Sequence, residues 1–230
     1  THLYNKEIGN SEKLERIQAY IDKLQYNHTG LQFFNVRKDR PLIGLMELSK
    51  RIIDDSLPIK CLEAVILAIY LLNEIHSDSF SSAHNSSGLE KFAIGFKTTS
   101  AGNVHRHVVL GVYDHLSGLF GSLGISRRAD LGYKPLRYTT LTDLIVDYIE
   151  CYGTYLHKVK RIKIGNPIAH SNRSYESISW TGCTINLSQD ASEWPRSVEK
   201  HSKKIRYFTT NYFQQGKQFS SMSLRNRSAV

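Results

Sequence analysis

Three cysteines occur in the 230 residues, and one of them, Cys61, stands where chemistry is possible. It follows Pro58-Ile59-Lys60 and opens an apolar run to Leu72 that carries a single charge, Glu63. Such a run predicts a buried helix, with Cys61 in its first turn. The first turn has backbone N–H groups without intrahelical acceptors and holds the positive end of the helix dipole. Both favour thiolate over thiol, as does the charge of Lys60. The Cys61 N–H could also donate to an oxyanion. A free cysteine in an apolar helix is more often only a small hydrophobe, so a nucleophile needs a partner.

The partner of a nucleophilic thiol is a base. His105 and His107 lie two apart on an expected strand, so both face one side and Arg106 the other. A strand histidine set against a helix N-terminus is the arrangement of papain-like thiol enzymes. The residues alone do not choose between the two histidines. A third group must orient the imidazole, and the backbone or hydroxyl of Ser126, just after the expected strand Leu119–Ile125, could accept its N–H if the two strands are neighbours. Arg127 and Arg128 would then stand at the mouth of the site. A planar guanidinium there suits a substrate carboxylate, although paired arginines are more often a solvated turn. A His-x-His metal chelate lacks further ligands, and there is no Cys-x-x-Cys pair, so neither metal nor other cofactor is expected.

The elements that must position these groups follow from periodicity. Leu14, Ile17, Ile21 and Leu24 repeat at helical spacing over Ser11–Leu24, with Ser11 as N-cap. Leu31–Val36 reads as a short strand or an extended link. Pro41 opens a second helix with Leu42, Leu45, Met46, Ile52 and Ile53 inward. From His76 to Ser87 the composition becomes polar and loop-like. Beyond it the period changes to two. Phe92–Phe96, His105–Val112 and Leu119–Ile125 are expected strands, followed by a helix over Thr140–Tyr152 and a fourth strand over His157–Ile164. A final helix is expected over Ala191–Arg206. Helices precede a meander of strands, so the fold class is α+β. The expected organisation is a single domain over 1–206, with a helical part at about 1–75 and a sheet-rich part at about 90–165. A basic tail follows over 207–230.

Composition narrows the partners. Lys and Arg number 30 against 21 Asp and Glu, a formal charge of +9. That points to an acidic partner: nucleic acid, anionic lipid or an acidic protein segment. No nucleic-acid-binding motif is readable, and no apolar run is long enough to span a bilayer. The charged stretch Lys6–Lys23 does not read as a secretory leader. Three cysteines are too few for a disulfide scaffold, and the Asn-x-Ser/Thr sequences are read as chance. A non-catalytic module that binds an acidic polymer is the alternative to an enzyme.

Several blocks together resemble the vasohibins: Tyr-Asn-His-Thr-Gly (26–30), Arg-Pro-Leu-x-Gly-Leu-Met (40–46) and Leu-Pro-Ile-Lys-Cys-Leu-Glu-Ala-Val-Ile-Leu (57–67). So do Phe-Lys-Thr (96–98), Gly-Asn-x-x-Arg-His-x-Val-Leu-Gly-Val (102–112) and Leu-Gly-x-Ser-Arg-Arg-x-Asp-Leu-x-Tyr-Lys-Pro (123–135). The resemblance runs from about Tyr26 to Gly165 and fades after it. The stretch His76–Ser87 is longer than in the family, and Val104-His105 replaces an aromatic pair.

The resemblance implies a transglutaminase-like cysteine peptidase that removes the C-terminal tyrosine of α-tubulin. It implies Cys61 as nucleophile, His107 rather than His105 as base and Ser126 as third member. It further implies Lys60 and Arg127 on the terminal carboxylate and the Tyr26 hydroxyl within the site. Lys97, Arg37, Lys38 and Arg40 would line a groove for the acidic tail. The expected partners are the tubulin tail on microtubules and small vasohibin-binding protein. The expected location is the cytoplasm and its cytoskeleton.

Overall fold

Every other residue of the central strands is apolar towards a layer of helices, and the chain accordingly forms one sheet covered on both faces. The computed structural model describes residues 9–77, 88–187 and 193–208. The helices are α1 (Asn10–Leu24), α2 (Leu42–Asp55), α3 (Cys61–Ser77) and α4 (Leu141–Thr154), with α5 over 194–208. The strands are β1 (Leu89–Ser100), β2 (Asn103–Asp114), β3 (Leu119–Leu123), β4 (Lys134–Tyr138), β5 (Lys158–Ile164) and β6 (Cys183–Asn186). They form one sheet in the order β4-β3-β2-β1-β5-β6, with every pairing antiparallel. This is the expected α+β class.

The helices α1, α2 and α3 cover one face. Leu14, Ile17 and Ile21 of α1, Leu45 and Ile52 of α2 and the continuous run Ala64–Ile69 of α3 are buried there with Val108, Leu110 and Val112 of β2. The other face packs Phe92, Ile94 and Phe96 of β1 against Leu144, Ile145 and Tyr148 of α4 and Val198 and Ile205 of α5. Alternation along β1 and β2 separates the two cores. Close approach is required within the sheet at Gly111 of β2, where a Cβ would meet the Phe92 ring at 2.5 Å.

Boundaries moved modestly from expectation. α1 starts at Asn10 with Gly9 rather than Ser11 as N-cap. Pro41 is the N-cap of α2 rather than its first residue. Thr140 caps α4, its Oγ1 accepting from the Asp143 N–H at 3.0 Å. Residues 31–36 are a link without strand pairing. Strands β4 and β6 were not anticipated. The helix α3 continues through Ser77, into the start of the expected loop, and the rest of that loop lies outside the described residues. So does the expected tail beyond residue 208. Among the described residues, no helix is long and apolar enough to cross a membrane.

Candidate active site

The segment before α3 is pinned to the end of α1. Tyr26 bridges Ile59 in parallel fashion, the Ile59 N–H donates to Gln25 O at 3.0 Å, and the Asn27 N–H donates to Ile59 O at 2.8 Å. These bonds set the direction of α3 and bring Tyr26 beside its N-terminus. Lys60 O accepts the Ala64 N–H at 3.0 Å, so Lys60 is the cap and Cys61 the first helical residue.

The neighbouring strands leave an open edge for Cys61. Pairing of β2 with β3 ends at Leu110↔Leu123. The chain departs there because the side chain of Gln18 on α1 takes the place of a strand: its Nε2 donates to Gly124 O at 2.9 Å and its Oε1 accepts the Gly124 N–H at 3.1 Å. The Cys61 thiol sits at the vacated edge, close enough for the Val108 and Leu62 backbone N–H groups to favour its thiolate. The diverted segment carries Ser126, Arg127 and Arg128 to the same place.

A cavity of about 620 Å3 results, walled by Tyr26, Cys61, His107, Ser126, Arg127 and Arg128. Most of the expected site residues are thus brought together. Both histidines border it, but differently. His105 is exposed and its ring lies 4.7 Å from that of His157. His107 is held inside, its Nε2 donating to the main-chain carbonyl of Leu131 at 2.7 Å. That carbonyl is presented by a single 3-10 turn, Ala129–Leu131. Ser126, whose backbone or hydroxyl was expected to receive the imidazole, instead accepts the Arg128 N–H through its hydroxyl at 3.4 Å. The main-chain carbonyl of Leu131 occupies the place anticipated for Ser126.

The electrostatics also depart from expectation. Burial raises the pKa of the Cys61 thiol; the Val108 N–H and Lys38 oppose it without prevailing. Burial pushes His107 down to about 4, against the support of Leu131 O. Desolvation therefore outweighs the helix N-terminus, and the empty site favours a neutral thiol and a neutral imidazole over an ion pair. With Nε2–H on Leu131, the Nδ1 of His107 is left as the basic atom.

The cations fall into two sets. Arg127 lies over the Tyr26 ring at 5.7 Å and Arg128 over the Tyr155 ring at 4.7 Å, both exposed at the rim. Lys60 is turned aside, its Nζ donating to Leu31 O at 3.0 Å and Gln32 Oε1 at 3.3 Å. Lys97 is directly opposite Arg106 on one side and Arg161 on the other, so three cations share one sheet face in a row. Arg106 and Arg161 were not singled out by sequence; the alternation of basic residues along β5 was the available signal. Lys38 lies over the Trp180 ring at 4.7 Å. Burial lowers its pKa, and a Cys61 thiolate would oppose that shift. Arg37 is paired with Asp39 at 2.8 Å, away from the cavity wall, and Arg40 is exposed in the turn that follows. Among the described residues, no group of three or more His, Cys, Asp or Glu is placed to hold a metal ion.

The vasohibin family model matches residues 2–206. The chain belongs to the vasohibin family. The match takes in both α1 and the segment after Gly165, beyond the blocks that carry the resemblance in sequence. The chain is also similar to tubulinyl-Tyr carboxypeptidase 1 of Mus musculus, with 44% identity over 196 residues, 85% of this chain. Those residues are 49% of the relative, so the chain spans about half the length of the curated vasohibin it matches.

Proposed function

We propose that this vasohibin is a cysteine carboxypeptidase that removes the C-terminal tyrosine of α-tubulin. The observation that carries the reading is the meeting of Cys61 at a helix N-terminus and a Leu131-tethered His107 in one cavity rimmed by arginines. The relative's name, tubulinyl-Tyr carboxypeptidase 1, supplies the substrate.

In this mechanism the Cys61 proton passes to His107 Nδ1 as Sγ attacks the carbonyl before the terminal tyrosine. The leaving amine takes that proton, a thioester remains, and water hydrolyses it with His107 as base. The Leu131 carbonyl holds the ring in its tautomer, the role expected of Ser126. Arg127 meets the terminal carboxylate, and an amidated or continuing chain would leave that charge unpaired. Lys60 joins it only by exchanging Leu31 O and Gln32 for the substrate. The row Arg106–Lys97–Arg161, with Lys38, offers the glutamate-rich tail a basic track towards Cys61, and the +9 charge steers it in. Small vasohibin-binding protein is a proposed partner, and the microtubule the proposed location.

Cys61→Ala should abolish release of free tyrosine from tyrosinated tubulin, measured with and without small vasohibin-binding protein. Retained release would refute the assignment and favour a non-catalytic microtubule-binding role.

A further inference from the structure

Tyr152 lies near the end of α4, remote in sequence from Cys61 and His107. Its side chain is 3% exposed, and among the described residues its hydroxyl has no hydrogen-bond partner. A buried hydroxyl without a partner is destabilising, so its retention asks for a reason. The residue borders the same cavity as Cys61 and His107.

Its position is fixed from the ring outward. The Tyr152 ring packs on Phe96 at 5.4 Å, and Phe96 is directly opposite His107 in the β1–β2 register. His157 lies 6.1 Å away on the other side. The ring thus has fixed neighbours, and the hydroxyl is held at the cavity wall beside the reacting pair. Burial raises its pKa and a Cys61 thiolate raises it further, so it keeps its proton and stays a donor. Yet the hydroxyl and the sulfur do not hydrogen-bond each other. A donor at the cavity of the nucleophile, without a partner among the described residues, is arranged for an atom that arrives with the substrate.

We propose that the Tyr152 hydroxyl donates to the oxygen of the scissile carbonyl as it becomes an oxyanion, together with the Cys61 N–H. This rests on the peptidase reading above. As the Sγ–C bond forms, the carbonyl π pair moves to oxygen and the thiol proton goes to His107 Nδ1. Tyr152 keeps its proton and only shortens a hydrogen bond. On collapse the C=O is restored, the C–N bond breaks and His107 protonates the leaving amine. A donor satisfied only in the transition state raises kcat rather than ground-state binding.

The test compares wild type, Cys61→Ala and Tyr152→Phe, the last removing one oxygen while keeping the ring. Tyrosine release from tubulin should show kcat reduced by about 10²-fold with KM nearly unchanged. Alkylation of Cys61 by iodoacetamide, which passes through no oxyanion, should proceed at the wild-type rate. Affinity for an acidic peptide aldehyde, whose hemithioacetal oxygen occupies the oxyanion position, should fall by a factor similar to that in kcat. Unchanged kcat and aldehyde affinity overturn the inference. So does an alkylation rate that falls in step with kcat, since the hydroxyl would then act on the thiol or the packing. Equal tyrosine release by wild type and Cys61→Ala would sink the peptidase reading instead, and the aldehyde comparison would still decide Tyr152.

Discussion

The Nε2–H of His107 points to the main-chain carbonyl of Leu131 at 2.7 Å, not to a side chain. The carbonyl is steadied in turn from α4: the Tyr148 hydroxyl donates to Gly132 O at 2.7 Å and lies 2.7 Å from Ser122 Oγ. Orientation of the imidazole is therefore a property of the 3-10 turn and of the buried tyrosine under it. An orienter of this kind cannot be removed by changing its own side chain, and the variants that test it are its neighbours.

Ser126→Ala should accordingly change kcat/KM for tyrosine release by no more than about threefold. Tyr148→Phe leaves Gly132 O and Ser122 without their buried partner, and should cost about 1–3 kcal/mol in stability. It should also lower kcat more than KM, because a loosened Leu131 no longer fixes the tautomer. Steady-state kinetics beside urea unfolding separates the two effects. A large loss in Ser126→Ala with little in Tyr148→Phe would return the orienting role to the serine.

What sequence could and could not reveal follows the same division. The helix α3 and its leading Cys61 were legible because an apolar run flanked by Pro58 leaves few alternatives. The strand character of β2 and β3 was legible from period-two alternation. Strands β4 and β6 were not: Lys-Pro-Leu-Arg-Tyr and Cys-Thr-Ile-Asn are short, and their strand character comes from the edges they pair with. The Leu131 carbonyl was invisible for a deeper reason, since every residue has a carbonyl and only the turn aims this one. The Gln18 clamp on Gly124 likewise has no residue-type signature. Tyr152 read only as the last residue of the expected helix, and its unpaired hydroxyl at the cavity distinguishes it from the buried tyrosine one turn earlier. The thiol's ionisation was misjudged because a helix N-terminus can be read from sequence and the depth of burial cannot.

The pH dependence follows from that burial. His107 titrates near 4 in the empty site, so it is already a neutral base throughout the mildly acidic range. Cys61 is raised by burial and stays a thiol through neutral pH. The acid limb of kcat/KM should lie well below the ordinary imidazole value of about 6.5, with less than about twofold change between roughly pH 5.5 and 8. A kcat/KM profile on a tyrosine-ended peptide measures it. An inflection at about 6.5 would mean that His107 titrates as an ordinary imidazole and that burial does not hold it neutral.

Acid stability should depend on Asp147. Burial alone would raise its pKa, but bonds from the Tyr138 hydroxyl, from Lys134 at 2.9 Å and from Cys151 outweigh this and hold the carboxyl below its usual range. A depressed carboxylate contributes stability above its unfolded value of about 3.9, and that contribution is lost as pH falls below it. His107, also depressed, adds a loss in the same direction as pH falls from about 6.5 towards 4. Asp147→Asn leaves the buried Lys134 without its counter-charge and should cost about 1–3 kcal/mol at neutral pH. The difference from wild type should shrink below about pH 4. Urea unfolding at several pH values reads both, and a deficit that stays constant to low pH would show that the charge is not what matters.

Recognition of the free chain end should fall mainly to Arg127. It is exposed at the rim, over the Tyr26 ring at 5.7 Å, whereas Lys60 is engaged by Leu31 and Gln32. A charge-assisted hydrogen bond is worth about 1.5–3 kcal/mol, so Arg127→Ala should lower kcat/KM on a free-carboxylate peptide by roughly 10- to 100-fold. The slow cleavage of the corresponding C-terminal amide should be unchanged, so that the preference between the two substrates collapses. Arg127→Lys should recover only part of that preference, because an ammonium cannot present the parallel pair of N–H groups that a guanidinium offers a carboxylate. Chromatographic release of tyrosine and tyrosinamide from paired peptides gives the ratio directly. Equal losses on both substrates would place Arg127 in general tail binding and leave the carboxylate to another cation.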